Sequence, residues 1–422
     1  MYRVYIETYG CTANKSDSEI MIGVLKRAGY LMSDLNEADY LVVNTCGVKQ
    51  ATENKIIDRL KKLSGLNKKL IIAGCLTKIN MNRIKKEVPN FSALVDPKSV
   101  HEIANIVDRV RNSSEQIIQF SEIPEEKPSL PRFSFSDVID IIRLSEGCLS
   151  SCSFCATKLA RGDLHSYRPE IIRNAVEQGL KNDHKEFHLT SEDSSAYGRD
   201  IRTNLPELLE SVAKINGEFF IRVGMMNPLH FKKVEIRNLI KVYKHERIFK
   251  FLHLCVQSGS NKVLCDMRRG YSVEEFIDYV KHFREEIPEL TLSTDIIVGF
   301  PSETDSDFER TVDLLKKIKP DVVNLSKYSV RPGTLSAKMK KLDSKIVDKR
   351  SNEIHKLIRK ISRKNNEKWI GWKGKVLIDE NGKGETMISR NYSYKPVVTS
   401  GSIGSFKDVK IVEAEDMHLV GE

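Results

Sequence analysis

A chain of 422 residues, 40% hydrophobic and 30% charged, is long enough for two to four domains at roughly 150 residues each, and its 23 Gly and 13 Pro exclude collagen-like and Pro-rich disordered chains. Its longest apolar stretches, such as Leu70–Ala73 and Ile296–Val298, fall far short of the roughly 18 residues that span a bilayer, and Arg3, Glu7 and Thr8 interrupt any signal-peptide run. The expectation is a soluble, cytoplasmic protein with a polyanionic partner for its net charge of +10 and with eight cysteines that serve as metal ligands rather than disulfides.

Residues 1–112 alternate short β-branched runs (Val4–Ile6, Tyr40–Asn44, Leu70–Ala73) with helical patterns (Asp17–Ala28, Thr52–Leu63). That alternation predicts a doubly wound parallel sheet whose binding loops lie at the carboxyl ends of the strands. Residues 113–137 are polar and carry Pro124, Pro128 and Pro131, which reads as an interdomain linker. Residues 138–335 resume the alternation. Strands are expected at Val138–Leu144, Glu186–Thr190, Phe219–Gly224, Phe249–Gln257, Thr291–Val298 and Val322–Tyr328, with helices at Arg168–Leu180, Val273–Phe283 and Asp305–Ile318 between them. Six such units in roughly 200 residues are too few for a closed eight-unit barrel of about 250, so a partial (β/α)6 barrel is expected.

Residues 336–368 hold the charge. Between Lys338 and Lys368 there are twelve Lys or Arg against four Asp or Glu, while Leu342, Ile346, Ile354, Leu357, Ile358 and Ile361 recur at helical spacing. The stretch reads as an amphipathic helix with a basic face, suited to phosphates or simply to solvent. Residues 369–422 change character to short alternating runs (Lys375–Ile378, Thr386–Ser389, Pro396–Thr399, Val409–Ala414) between Gly-rich turns, the pattern of a small antiparallel β-barrel.

Cys148, Cys152 and Cys155 form C-x3-C-x2-C in EGCLSSCSFC, directly after the first strand of the second domain. Three thiolates in one loop can hold three corners of a cubane iron–sulfur cluster and leave its fourth iron open, whereas structural zinc favours a fourth Cys or His and C-x2-C pairs. Cys11, Cys46 and Cys75 are distant in sequence, which ordinarily means three unrelated buried thiols. Yet each falls just past the carboxyl end of an expected parallel strand (YGC, NTC, GCL), so the three can converge on one sheet edge. Cys255, in a strand pattern, and Cys265, in a helical one, read as small buried core residues, and His253 as a satisfied core or barrel-lining histidine.

The motif with Phe154 between its last two cysteines resembles the radical S-adenosylmethionine superfamily. Together with YGCTANKSDSE, NTC, GCL and SEGCLSSCSFC, nearly the whole chain resembles the methylthiotransferases of that superfamily. ARGDLHSY, LTSEDSSAYGRD, RVGMMNP and YSVRPGT look most like the archaeal and eukaryotic branch that acts on threonylcarbamoyladenosine in tRNA. The resemblance implies an N-terminal cluster-binding domain, a radical partial barrel and a C-terminal TRAM domain that binds RNA. It also implies two [4Fe-4S] clusters, one on Cys148, Cys152 and Cys155 and one on Cys11, Cys46 and Cys75, with S-adenosylmethionine as cofactor and the tRNA anticodon loop and an unassigned electron donor as partners. The alternatives are the branches acting on isopentenyladenosine tRNA or a ribosomal-protein aspartate, and a non-catalytic iron–sulfur or zinc RNA-binding module. Two departures stand out: Cys255 where the family has proline, and Ser302 where it has glycine. Ser302 is expected to tighten the loop near the cofactor. With MHLVGE as its last residues, the sequence is not expected to carry the hydrophobic C-terminal anchor of some animal members.

Polar groups at expected strand ends, Ser191, Glu192, Arg222, Gln257 and Ser258, are candidates for holding the cofactor, as is Phe154; ordinary loop hydrogen bonding is the alternative for the polar five. The threonylcarbamoyl carboxylate needs a cationic or hydrogen-bonding partner, and Arg161, Arg199 and Arg331 in the branch-like motifs are the candidates, with structural ion pairing as the alternative. Arg390, Asn391, Tyr392, Tyr394 and Lys395 interleave aromatic and basic side chains, which suits RNA stacking and phosphate contact or an exposed hairpin tip.

Overall fold

The structure is a computed structural model that describes residues 1–231 and 233–422. The first unit is a six-stranded parallel sheet of β1 (Arg3–Thr8), β2 (Leu31–Met32), β3 (Tyr40–Thr45), β4 (Lys69–Gly74), β5 (Ala93–Val95) and β6 (Ile117–Gln119), in the order β2-β1-β3-β4-β5-β6. Helices α1 (Thr12–Arg27), α2 (Gln50–Ser64), α3 (Leu76–Ile79), α4 (Met81–Glu87) and α5 (Ile103–Asn112) complete it. Side chains alternate between two cores: Val42 and Ile71 pack with Ile20, Leu25 and Val107, while Leu41, Val43 and Ile72 pack with Ile57 and Leu60. Both faces are covered, so every position of β3 is buried.

The stretch expected as a linker is largely built into the fold. Its residues Ile117–Gln119 are β6, the sixth strand of the sheet, and Lys127 farther along is only 1% exposed. Polarity and proline suggested a tether, whereas the lysine charge is satisfied by buried carboxylates.

The second unit has six parallel strands, β7 (Ile139–Arg143), β10 (Glu186–Thr190), β11 (Phe220–Val223), β12 (Phe251–His253), β13 (Thr291–Val298) and β14 (Val322–Lys327), plus a short antiparallel pair, β8 (Ser145–Glu146) and β9 (His165–Ser166). Two three-stranded sheets, β7-β10-β11 and β12-β13-β14, are joined by parallel bridges from Ile221 to Ile248 and from Met226 to Leu254. Among the described residues β7 and β14 do not pair with each other, which makes a partial barrel with an open side. Helices α6 (Thr157–Arg161), α7 (Pro169–Lys181), α8 (Leu205–Ala213), α9 (Lys233–Tyr243), α10 (Asn261–Asp266), α11 (Val273–Glu286) and α12 (Asp305–Ile318) alternate with the strands. The expected Phe249–Gln257 strand shortens to β12, and Gln257 takes a left-handed φ of 75° that breaks the pleat.

Helix α13 (Ser344–Glu367) buries Ile354 and packs Val347, Leu357, Ile358 and Ile361 on the barrel core. Ile346, expected on that face, is 42% exposed, because Val347 lies two turns before Ile354 and takes its place. The last unit is a closed five-stranded barrel of TRAM-like form: β15 (Lys373–Asn381), β16 (Met387–Arg390), β17 (Pro396–Thr399), β18 (Phe406–Ala414) and β19 (Leu419–Gly421), in the order β15-β16-β17-β19-β18. It departs from the purely antiparallel expectation at one pair, since β17 and β19 run parallel. No helix among the described residues is long and apolar enough to cross a membrane.

Candidate active site: two cysteine triads

Cys148, Cys152 and Cys155 lie in the loop between β8 and α6. Gly147 begins it at φ +74°, where a Cβ would sit 2.1 Å from the Asp163 carbonyl, so the turn demands glycine. Cys148 N–H donates to the Gly162 carbonyl (3.2 Å) and Cys155 N–H to that of Cys152 (3.2 Å). The Cys155 sulfur accepts from Thr157 N–H (3.4 Å) and the Cys152 sulfur from Arg269 Nη1 (3.1 Å), while Arg269 Nη2 holds the Cys255 carbonyl (2.9 Å). Burial pushes the Cys148 thiol up to about 12 and raises Cys155 as well, so thiolates here require a bound cationic centre. Ser150, one residue pair along, is propped by His230 Nε2 (3.2 Å) and Asn227 Nδ2 (3.0 Å).

Cys11 precedes α1, Cys46 follows β3 and Cys75 follows β4, so the three occupy neighbouring strand ends. Gly10, at φ +120°, lets the first loop cross the second, since a Cβ there would lie 2.9 Å from Cys46 Cβ. Asn14 ties the loops together. Its Nδ2 donates to the carbonyls of Tyr9 and Thr45 (both 2.9 Å), and its Oδ1 faces the sulfurs of Cys11 (3.9 Å) and Cys75 (3.7 Å). Burial drives the Cys75 thiol up to about 12; Arg161 counters this, and Cys11 and Cys46 add to it, so the three sulfurs share one electrostatic neighbourhood.

A single tetrahedral zinc with bonds of about 2.3 Å holds its sulfurs about 3.8 Å apart. Among the described residues the one grouping with all its donor atoms within 4.8 Å is His253, Cys255 and Asp295; neither triad is that tight. The wider spacing and all-sulfur donor sets fit iron–sulfur clusters better than single ions.

The triads are neighbours. Cys75 and Ile79 pack with Ala156 and Ala160 in one buried cluster, which sets α3 against α6. Beneath them lies a buried ionic network. Arg161 bonds Asp17 (2.7 Å), Glu146 (2.5 Å) and Asn14 Oδ1 (2.9 Å); Lys127 bonds Asp17 (2.5 Å) and Glu146 (2.7 Å); Arg143 bonds Glu192 (2.7 Å). Burial alone would raise the Glu146 carboxyl, but Arg161, Lys127 and Arg143 outweigh it and hold the group well below the usual range.

Residues 3–96 match the model of uncharacterized protein family UPF0004, and residues 142–315 match the radical SAM superfamily. A probable threonylcarbamoyladenosine tRNA methylthiotransferase of Pyrococcus horikoshii is 44% identical over 100% of this chain and 99% of its own length. The threonylcarbamoyladenosine tRNA methylthiotransferase of Drosophila melanogaster is 33% identical over 100% of this chain and 77% of its own. The chain belongs to this methylthiotransferase family. Its fold is shared by a solved radical S-adenosylmethionine methyltransferase, TsrM of Kitasatospora setae, at a TM-score of 0.58 and 12% identity, over 80% of this chain and 75% of that one. The cofactors of the family are S-adenosylmethionine and two [4Fe-4S] clusters.

The methylthiotransferase fold corrects several residue expectations. Arg161 and Arg331 are 1% and 2% exposed and fully committed. Arg331 reaches across to the first unit, bonding Glu53 (2.5 Å), Gln50 (2.6 Å) and the Gly47 carbonyl (2.8 Å). Arg199 is paired with Glu235 (2.8 Å) and the His230 carbonyl (2.7 Å). Arg161 and Arg331 are thereby spent on internal carboxylates and carbonyls, whereas Arg199 bonds through Nη2 alone and, among the described residues, its Nε is buried without a partner. The Arg390–Lys395 stretch is not an exposed tip. Arg390 bonds Asp379 (3.0 Å) and Glu380 (2.7 Å), Tyr392 donates to Glu289, and Lys395 bonds Asp321 (2.6 Å) and Asn366 (2.9 Å), so the loop docks the small barrel onto the large one.

Of the cofactor candidates, Ser191 and Gln257 are buried at the carboxyl end of the barrel, with Ser191 Oγ 3.1 Å from Ser194 Oγ. Glu192 has both oxygens on Arg143, and Ser258 Oγ accepts from Ser260 N–H (3.2 Å). Phe154 packs against Val263, Met267 and Phe300. His253 donates to Asp295 (2.9 Å) in the barrel interior, Cys255 is buried, and Cys265 is exposed on α10, contrary to the expectation that it packs inside. Among the described residues the Ser302 hydroxyl is buried without a partner. Asn14 and Arg269 carry little signal in the sequence: Asn14 lies inside YGCTANKSDSE, three residues after Cys11, and nothing in the RRG around Arg269 marks its reach to Cys152.

Proposed function

We propose that the chain adds a methylthio group to carbon 2 of N6-threonylcarbamoyladenosine, immediately 3′ of the anticodon in tRNA. Cys148, Cys152 and Cys155 hold one [4Fe-4S] cluster and Cys11, Cys46 and Cys75 the other. When bound, these clusters and two S-adenosylmethionine molecules supply a deoxyadenosyl radical that takes hydrogen from an unactivated adenine C–H, a sulfur atom and a methyl group. The observation that carries this reading is the packing of α3 on α6, which sets two cysteine triads side by side at the strand ends of the sheet and the barrel.

The protein's own groups orient and enclose. Arg269 steadies the Cys152 sulfur, Asn14 braces the other triad, and Ser191 and Gln257 line the end of the barrel where the cofactor is bound. With Cys46 and Cys75 buried and Cys148, Cys152 and Cys155 half-buried, the target purine must leave its stack to reach the triads, as readers of single-stranded RNA loops generally demand. The exposed Lys356, Arg359, Lys360 and Arg363 of α13 contact tRNA phosphates. A tRNA substrate supports our reading of a cytoplasmic enzyme.

Reconstituted enzyme is incubated with tRNAs bearing threonylcarbamoyladenosine, isopentenyladenosine or plain adenosine. Preferential modification of the first is expected; preferential turnover of isopentenyladenosine would remove the substrate assignment.

A further inference from the structure

With Arg161 and Arg331 committed and Arg199 held outside the strands by Glu235, the substrate's carboxylate needs a partner in the barrel interior. Along the barrel strands, Phe187, Leu189, Ile221, Val223, Leu252, Leu254 and Leu292 face the helices and form the core. The alternate positions His188, Arg222, His253, Asp295 and Asn324 therefore face the barrel interior. Four of these satisfy one another or a neighbour. His253 and Asn324 both donate to Asp295 (2.9 Å each), and His188 bonds Glu186 (2.5 Å).

Arg222 is the exception. Among the described residues its guanidinium makes no hydrogen bond and no ion pair, and its Nε is buried without a partner. It lies over the faces of Phe251 (5.0 Å) and Tyr394 (5.3 Å), which fix the group without neutralising it. Glu186 is near enough to feel its charge but makes no ion pair with it: its Oε1 is bonded to His188, and among the described residues its Oε2 is buried without a partner. The His188 ring is held neutral first by burial, then by Arg222, Arg390 and, more weakly, Lys15 of α1, so several cations bear on this part of the interior and Glu380 is the carboxylate that opposes them. The interior is reachable, since Asn324 on the unpaired edge strand β14 is exposed.

Arg222 is half-buried with its Nε enclosed and unpartnered, so leaving that donor unmet is costly, and an entering carboxylate meets a planar fork of N–H donors. We propose that Arg222, braced between Phe251 and Tyr394, receives the carboxylate of the threonylcarbamoyl group and thereby distinguishes this substrate from one with an apolar isopentenyl group. The proposal rests on the substrate reading above. An apolar substituent leaves the cation unpaired, and sites built around a buried polar group reject such analogues strongly.

The test compares equilibrium binding of anticodon stem-loop RNAs carrying threonylcarbamoyladenosine, its carboxyl methyl ester or unmodified adenosine to reconstituted full-length enzyme, with iron content as the check on folding. Wild type should prefer the free acid over the ester by about tenfold or more. Arg222→Gln should erase that preference, and Arg222→Lys should keep part of it. A preference that survives in Arg222→Gln overturns the proposal, as does a variant whose loss lies in S-adenosylmethionine affinity, which would assign Arg222 to the cofactor. If wild type binds acid and ester equally yet methylthiolates the threonylcarbamoyl RNA, Arg222 alone is wrong. If it also fails to modify that RNA, the substrate reading falls too.

Discussion

Asn14 Oδ1 accepts a 2.9 Å hydrogen bond from Arg161 Nη2, and this one contact links the cluster-binding sheet to the radical barrel between their cysteine triads. Asn14 faces the sulfurs of Cys11 and Cys75, whereas Arg161 ends α6, the helix that follows Cys155. Arg161→Met leaves the buried Asp17 and Glu146 short of a counter-charge, and removing one partner of such a network costs about 3–5 kcal/mol. A lowered denaturation midpoint in this variant is the expected result, together with loss of iron from the first triad. Asn14→Ala should show the iron loss with a smaller fall in stability.

Replacing Cys148, Cys152 and Cys155 together by Ala should remove about half of the iron and abolish deoxyadenosine release from S-adenosylmethionine, because the open-iron site is lost. The triple replacement of Cys11, Cys46 and Cys75 should remove the other half and leave that release measurable. Iron and sulfide assays on the two proteins check both statements. Cys265→Ala should leave the iron unchanged.

Lys356, Arg359, Lys360 and Arg363 project from α13 into solvent, and the pairs that Arg359 and Arg363 make with Asp416 and Glu367 are surface pairs, with the arginines 76% and 58% exposed. Such pairs contribute little to folding. Reversing all four to Glu should leave the fold intact and weaken tRNA binding, lowering the slope of log affinity against log salt by about 0.7–0.9 for each lost phosphate contact. Binding measured across a salt series decides it, and an unchanged slope would make the helix a merely solvated face.

Where the small barrel docks, burial pushes the Glu186 carboxyl up to about 7 and that of Asp379 up to about 8, with Arg390 opposing both. In the unfolded chain such groups titrate at about 4. The folded state therefore keeps protons that the unfolded state releases. Their contribution to stability is complete below about pH 4 and is lost as pH rises through 7 and 8. Thermal unfolding should occur at lower temperature as pH rises from about 6 to 9, and Asp379→Asn should flatten the trend.

Periodicity in the sequence located β10, β13 and α12 to the residue, since regular alternation of apolar and polar side chains is a local signal. Three-residue strands such as β5 and β6 carry too few side chains for that signal and are defined by their neighbours. The cysteine triads were legible because a strand end followed by cysteine can be read locally. The arginines were not: Arg161, Arg222 and Arg331 look alike in sequence, and only the fold shows that two are bonded to internal carboxylates and one is not.

Whether this protein methylthiolates threonylcarbamoyladenosine is decided by nucleoside mass spectrometry of tRNA from cells with and without the gene. The expected result is that 2-methylthio-threonylcarbamoyladenosine is present with the gene and absent without it, while threonylcarbamoyladenosine itself accumulates. Persistence of the methylthiolated nucleoside without the gene, or loss of a methylthiolated isopentenyladenosine in its place, would contradict the claim.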